Sequence, residues 1–287
     1  MSRIFDAVKK NNIIDFGEIR QVDVDSEPAY SEHTIEEPRR ATHAALPPPK
    51  IDRAIRLNAP RRYPILPFDG QYHAAAEQYR VIRTKILHSS VRPQVILVSS
   101  ASSGDGKTVS SINIAASLAM KEESNVLLVE GDLCHPSFAT ALGLPEASGL
   151  CEVLSGELGL DSVLIRTSQF PNLFILRAGH PARNATELLD SKRWHLLIEG
   201  CRTRFTNVVI DAPPIATVAD YELLQLACDG VVVVARPGHS DRAALFAALE
   251  TVPRDKLLGV VLNCVEDWWF WKTPAYGYYA ADRLGKG

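Results

Sequence analysis

The sequence predicts an α/β domain, a mainly parallel central sheet flanked by helices in three layers. Three observations carry that prediction. Strand-length apolar runs recur without alternation at 95–99, 126–130, 173–176, 208–211, 231–235 and 258–263. Helical patterns lie between them, at about 72–89, 107–121, 186–200, 219–228 and 241–251. A Gly-rich turn, Ser100–Gly106, joins the first of these strands to the helix after it. Strands that do not alternate are buried on both faces, and helical crossovers between them make neighbours parallel.

The first seventy residues read differently. They hold eight of the eighteen prolines, Pro47-Pro48-Pro49 among them, with mixed charge and little periodicity. Such a stretch buries too little apolar surface to offset its ordering entropy. The expected organisation is a flexible arm over 1–70 with a short helix near Ser2–Lys10, a folded domain over 71–265, and an aromatic tail over 266–287. No internal repeat is found.

Composition excludes several classes. A net charge of −3 gives no overall attraction to nucleic acid or anionic lipid. Five cysteines, Cys134, Cys151, Cys201, Cys228 and Cys264, show neither CxxC nor Cys/His ligand spacing, which reads as reduced thiols. The start, MSRIFDAVKKNN, lacks the apolar core of a secretory signal. The longest apolar runs, such as Gly230–Ala235, fall far short of the ~20 residues needed to cross a bilayer. A cytosolic protein is expected.

The chemistry concentrates at three strand ends. Ser103-Gly104-Asp105-Gly106-Lys107-Thr108 lies between a buried strand and a helix, the context of a P-loop. Glycines let backbone amides line an anion nest, and the helix N-terminus adds partial positive charge. Lys107 would neutralise the outer phosphates, and the Thr108 hydroxyl suits Mg2+. The strict pattern has glycine where this chain has Ala101. The candidate nucleotide-binding set is Ser102, Ser103, Gly104, Asp105, Gly106, Lys107, Thr108 and Val109. Asn263, at the end of the last strand, is a candidate adenine contact or a capping amide. Val208–Asp211 is an apolar strand ending in a carboxylate that can hold magnesium's water shell, and Pro213-Pro214 stops it. The strand at 126–130 runs into Glu130-Gly131-Asp132, two carboxylates facing the same crevice. Catalytic candidates are therefore Lys107, Glu130, Asp132 and Asp211, and metal candidates are Thr108, Asp132 and Asp211.

Together these pieces resemble the deviant-Walker ATPases, the group of MinD and ParA, and within it the bacterial tyrosine kinases of capsule and exopolysaccharide loci. The resemblance rests on Glu77-x-x-Arg80-x-x-Arg83, the loop at 100–108 and Asn113-Ile114-Ala115. It rests equally on Asn184-x-x-Glu187-Leu188-Leu189-x-Ser191, Asp211-x-Pro213-Pro214 and the tail tyrosines Tyr276, Tyr278 and Tyr279. The extra N-terminal lysine that MinD and ParA proteins carry in the loop is missing here.

The resemblance implies ATP and Mg2+ as cofactors and autophosphorylation at Tyr276, Tyr278 or Tyr279. It implies a ring-shaped homo-oligomer packed through Glu77, Arg80 and Arg83. Those three share a helical face, and pairing within the helix is the alternative. A separate transmembrane polysaccharide co-polymerase would act as activating adaptor and a tyrosine phosphatase as antagonist. No nucleic-acid partner is implied. The location would be cytoplasmic, at the inner face of the plasma membrane through the adaptor. In this family the first carboxylate of DxDxR orients or deprotonates the acceptor tyrosine. This chain has Glu130-x-Asp132-x-Cys134, one methylene longer and without the arginine. Two other readings stay open: a MinD/ParA-like ATPase switch, and a nucleotide-binding scaffold for polysaccharide assembly.

Overall fold

The computed structural model of the protein describes residues 51, 54–65, 72–182, 184–215 and 219–265. Eight strands form one sheet in the order β1-β4-β5-β3-β6-β2-β7-β8. The strands are β1 (Ala54–Ile55), β2 (Val95–Ser100), β3 (Val126–Glu130), β4 (Ile165–Thr167), β5 (Leu173–Leu176), β6 (Asn207–Asp211), β7 (Gly230–Ala235) and β8 (Leu257–Leu262). Every pairing is parallel except β4 with β5. The sheet is thus mainly parallel, as the unalternating runs require.

Alternate residues of each central strand feed two separate cores. Leu97, Leu127, Val129, Ile210 and Val233 enter one, with Trp194, Ile198, Tyr221 and Leu224. These last come from α7 (Lys192–Arg204) and α8 (Asp220–Leu226), which therefore cover that face beside α9 (Arg242–Thr251). Ile96, Val98, Leu128, Val209 and Val232 enter the other, with Tyr79, Ile86, Ile112 and Ile114. Those belong to α1 (His73–Leu87) and α2 (Lys107–Leu118). Helices on both faces make the three layers. The small side chains of α2, among them Ala115, Ala116 and Ser117, are buried, which lets the helix lie close on the sheet.

Several elements differ from expectation. Residues 54–65, expected within the flexible arm, belong to the folded body: β1 pairs β4, Leu57 is buried, and Gln169 brackets the Leu57 backbone with two 2.8 Å hydrogen bonds. A two-residue strand is too short to carry any periodicity. Three short helices, α3 (Phe138–Leu142), α4 (Leu150–Ser155) and α5 (Leu160–Val163), fill the span between β3 and β4. The helix expected over 186–200 is two, α6 (Ala185–Leu189) and α7, because the Ser191 side chain accepts from Trp194 N and starts a new helix. The short helix near Ser2–Lys10, the aromatic tail and Tyr276, Tyr278 and Tyr279 lie outside the described residues. Among the described residues, no helix is long and apolar enough to cross a membrane.

Candidate active site

Sheet order sets the site. β6 lies between β3 and β2, so Asp211 ends beside Glu130 on one side and Val98 on the other. All three strands run the same way, and their carboxyl ends open onto one crevice. The loop leaving β2 turns into α2 through Gly104 and Gly106, whose φ values of 87° and 94° are left-handed. No side chain caps the N-terminus of α2, so its first amides remain available to an anion.

Acidic and hydroxyl groups gather under that loop. Lys107 Nζ lies 3.3 Å from Asp132 Oδ2. Thr108 Oγ1 donates to Asp211 Oδ2 at 2.7 Å and sits 3.2 Å from Ser137 Oγ. Asp211 is fully buried, and its second oxygen, Oδ1, has no hydrogen-bond partner. Burial pushes the Asp211 carboxyl up to about 7, against the opposing pull of the Lys107 charge and the Thr108 hydroxyl. An orphaned, buried carboxylate oxygen next to a threonine hydroxyl and a second carboxylate is a donor set for a hard divalent cation. Among the described residues no group of three or more His, Cys, Asp and Glu side chains forms a complete metal cage.

The loop is gripped from below. Asp105 is fully buried; its carboxylate accepts from Ser102 N at 3.0 Å and from Ser240 Oγ at 2.6 Å. Asn263 Nδ2 donates to Asp105 O at 3.0 Å, so this amide ties the end of β8 to the loop, the contact that the capping alternative describes. His239 Nε2 lies 3.1 Å from Ser103 O. The Asp105 side chain therefore belongs to the loop's own structure. Ser102 accepts from Ser100 Oγ through its carbonyl, and the Val109 carbonyl accepts from Asn113.

Glu130 is the largest departure from expectation. Its carboxylate is 2% exposed and does not present an unoccupied oxygen to the crevice. Oε1 accepts from the N–H groups of Ser137 and Phe138, and Oε2 from Ala178 N at 2.9 Å. Burial pushes its carboxyl above the ordinary value with Asp132 adding to the push, while the three N–H donors oppose it. Cys134 stands where the resemblance leads one to expect arginine, and its thiol faces Asp220 at 3.7 Å. Burial and that carboxylate push the thiol up. Glu77 and Arg80 pair with each other at 2.7 Å on the surface of α1, while Arg83 donates to Ser117 O. Ser137, His239 and Ser240 escaped the sequence reading; a serine after Pro136 at a helix start was the one local signal, and nothing local marked the other two.

A P-loop between β2 and α2, with two further strand-end regions supplying carboxylates beside it, defines a nucleotide-binding α/β protein. Its fold is similar to that of the septum site-determining protein MinD from Pyrococcus horikoshii, solved with Mg-ADP. There the TM-score is 0.50 and identity 23%, covering 59% of this chain and 69% of that one. The tyrosine-protein kinase YwqD of Bacillus subtilis is 34% identical over 210 residues, 71% of this chain and 86% of that protein. The tyrosine-protein kinase CpsD of Streptococcus pneumoniae serotype 4 is 36% identical over 195 residues, 66% of this chain and 84% of that protein. The crystal structure of the chimerical protein CapA2B2 matches with a TM-score of 0.66 and 28% identity, over 71% of this chain and 91% of that one. No family model matches the chain. The chain belongs to the bacterial tyrosine-protein kinases.

Proposed function

We propose that this protein is an ATP-dependent protein-tyrosine autokinase that regulates capsule or exopolysaccharide synthesis and export. The observation that carries the chemistry is the buried, unpartnered Asp211 Oδ1 beside Thr108, under a loop whose helix start has no side-chain cap. In this reading ATP lies along residues 102–109, its phosphates held by loop amides and the Lys107 ammonium. Thr108, Asp132 and Asp211 would hold Mg2+. When bound, Mg2+ supplies electrostatic stabilisation of the phosphate charge. Lys107 and the loop amides stabilise charge on the transferring phosphoryl group, and positioning does most of the rest.

The acceptor is Tyr276, Tyr278 or Tyr279 from the tail of a neighbouring copy. Its phenolic oxygen bonds to the γ-phosphorus as the bond to ADP breaks; the electron pair of that bond leaves on the ADP oxygen, and the phenolic proton passes to water in the crevice. The surface of α1 with Glu77, Arg80 and Arg83 would meet that neighbour in a ring, the pair within the helix opening to engage it. Each added phosphate brings about −1.5 to −2 charge beside an acidic crevice, which disfavours tail docking and loosens the ring. A transmembrane adaptor would bring the protein to the inner face of the plasma membrane, and a tyrosine phosphatase would reset it.

The test is transfer of γ-labelled phosphate by the full-length protein, with the cytosolic segment of its adaptor present. Label on protein tyrosine, absent in Lys107→Met, is the expected result. Label released only as inorganic phosphate would make the protein an ATPase switch, and bound nucleotide with neither product would make it a scaffold.

A further inference from the structure

We propose that Glu130 is a positioning residue, and not the group that takes the tyrosine proton, and that the hydroxyl it delivers, Ser137 Oγ, is a further magnesium-side group of the site. The inference rests on the P-loop reading above and adds a residue to it. Glu130 ends β3, and Ser137 precedes α3. By accepting from Ser137 N and Phe138 N, Glu130 Oε1 closes the intervening loop on itself. Through Ala178 N, Oε2 fixes the loop to the segment leaving β5. Three backbone donors on one buried carboxylate leave it poorly placed to approach a substrate hydroxyl.

The closed loop carries the groups that do reach the P-loop. Asp132 Oδ1 accepts from His135 N at 3.0 Å, which leaves Oδ2 on Lys107. At the other end of the loop, Ser137 Oγ is 3.2 Å from Thr108 Oγ1. The Thr108 hydroxyl has one hydrogen, and it goes to Asp211 Oδ2 at 2.7 Å. Ser137 is therefore the donor in its contact with Thr108. With a cation held by the Thr108 oxygen, the Ser137 hydroxyl would be free to donate to that cation's water. Ser137, Thr108 and Asp211 thus form one oxygen row contributed by three different segments. A Glu130→Asp change would draw the carboxylate back by roughly an ångström, a displacement large enough to loosen such a row. A Glu130→Gln change, by contrast, would set an N–H2 group against at least one of the three backbone donors.

The test uses the full-length protein with ADP and Mn2+ as the metal probe, bound Mn2+ being read by electron paramagnetic resonance. Ser137→Ala and Glu130→Gln should each weaken Mn2+ uptake roughly tenfold, as removal of outer-shell partners does. The double variant should lose little more than either single one, because both act on one group. ADP binding in EDTA should be unchanged in Ser137→Ala, which removes only one oxygen and guards against a folding defect in the Glu130 variant. Glu130→Gln should also keep the acidic limb of the autophosphorylation pH profile. Unchanged or tighter Mn2+ uptake in Ser137→Ala overturns the proposal. So does a Glu130→Gln protein that loses the acidic limb while binding Mn2+ normally. Wild-type protein that takes up no Mn2+ with ADP would reject the P-loop reading itself, which separates the two failures.

Discussion

Glu130 and Asp211 are paired residues at the ends of neighbouring strands, both carboxylates and both buried, yet they are built for opposite ends. Glu130 is saturated by three backbone N–H groups. Asp211 shares one oxygen with Thr108 and leaves the other with none. A saturated buried carboxylate stabilises the fold around it. One left short of partners costs stability until something outside the chain completes it. Strand-end position and charge alone do not separate these roles; the count of donors does.

That difference can be broken by mutation. Glu130→Ala strands three buried donors and should lower stability by about 3–5 kcal/mol, read by urea unfolding. Asp211→Asn should act the other way in metal-free protein. Folded protein keeps Asp211 protonated up to about pH 7, whereas the ordinary value is 3.8, so the folded state binds the extra proton between those limits. Stability should therefore fall as pH rises from about 4 to 7, by up to ~2–4 kcal/mol, and Asp211→Asn should flatten that slope. The same variant should lose magnesium-dependent nucleotide affinity by roughly 100-fold. Comparable destabilisation by both variants at about pH 8, above the Asp211 transition, would erase the distinction.

Smaller effects sharpen it. Ser240→Ala removes one donor from the buried Asp105 carboxylate and should cost about 1–3 kcal/mol, with weaker nucleotide binding as the loop loosens. Arg80→Ala breaks only a surface pair within α1 and should change monomer stability by less than ~0.5 kcal/mol. If α1 is an oligomer surface, the same substitution shifts the sedimentation profile far more than the melting curve.

Most of this architecture was legible from the chain because buried parallel strands are continuous apolar runs. The strands from Val95, Val126 and Val231, and the P-loop between β2 and α2, needed no tertiary information. β1 and β4 were not legible, since two and three residues carry no period and β1 is recruited by its neighbour. Ser191 could have ended α6, being a cap residue before a new apolar run. Lys107, Thr108, Asp132 and Asp211, which the fold brings together, could be picked out as candidates because strand and loop context places them locally. The contacts made by Glu130 and Asn263 were not legible, for the opposite reason. Their partners, Ser137, Phe138 and Ala178 for one and the Asp105 carbonyl for the other, are brought near only by folding.

The most direct measurement is peptide mapping by mass spectrometry of the full-length protein after incubation with Mg-ATP and its adaptor's cytosolic segment. Wild-type protein, Lys107→Met and a variant with Tyr276, Tyr278 and Tyr279 all changed to Phe would be compared. The account predicts phosphate on the 276–279 tyrosines of the wild type alone. Phosphotyrosine persisting in Lys107→Met, or absent from a wild-type protein that binds Mg-ATP tightly, would contradict it.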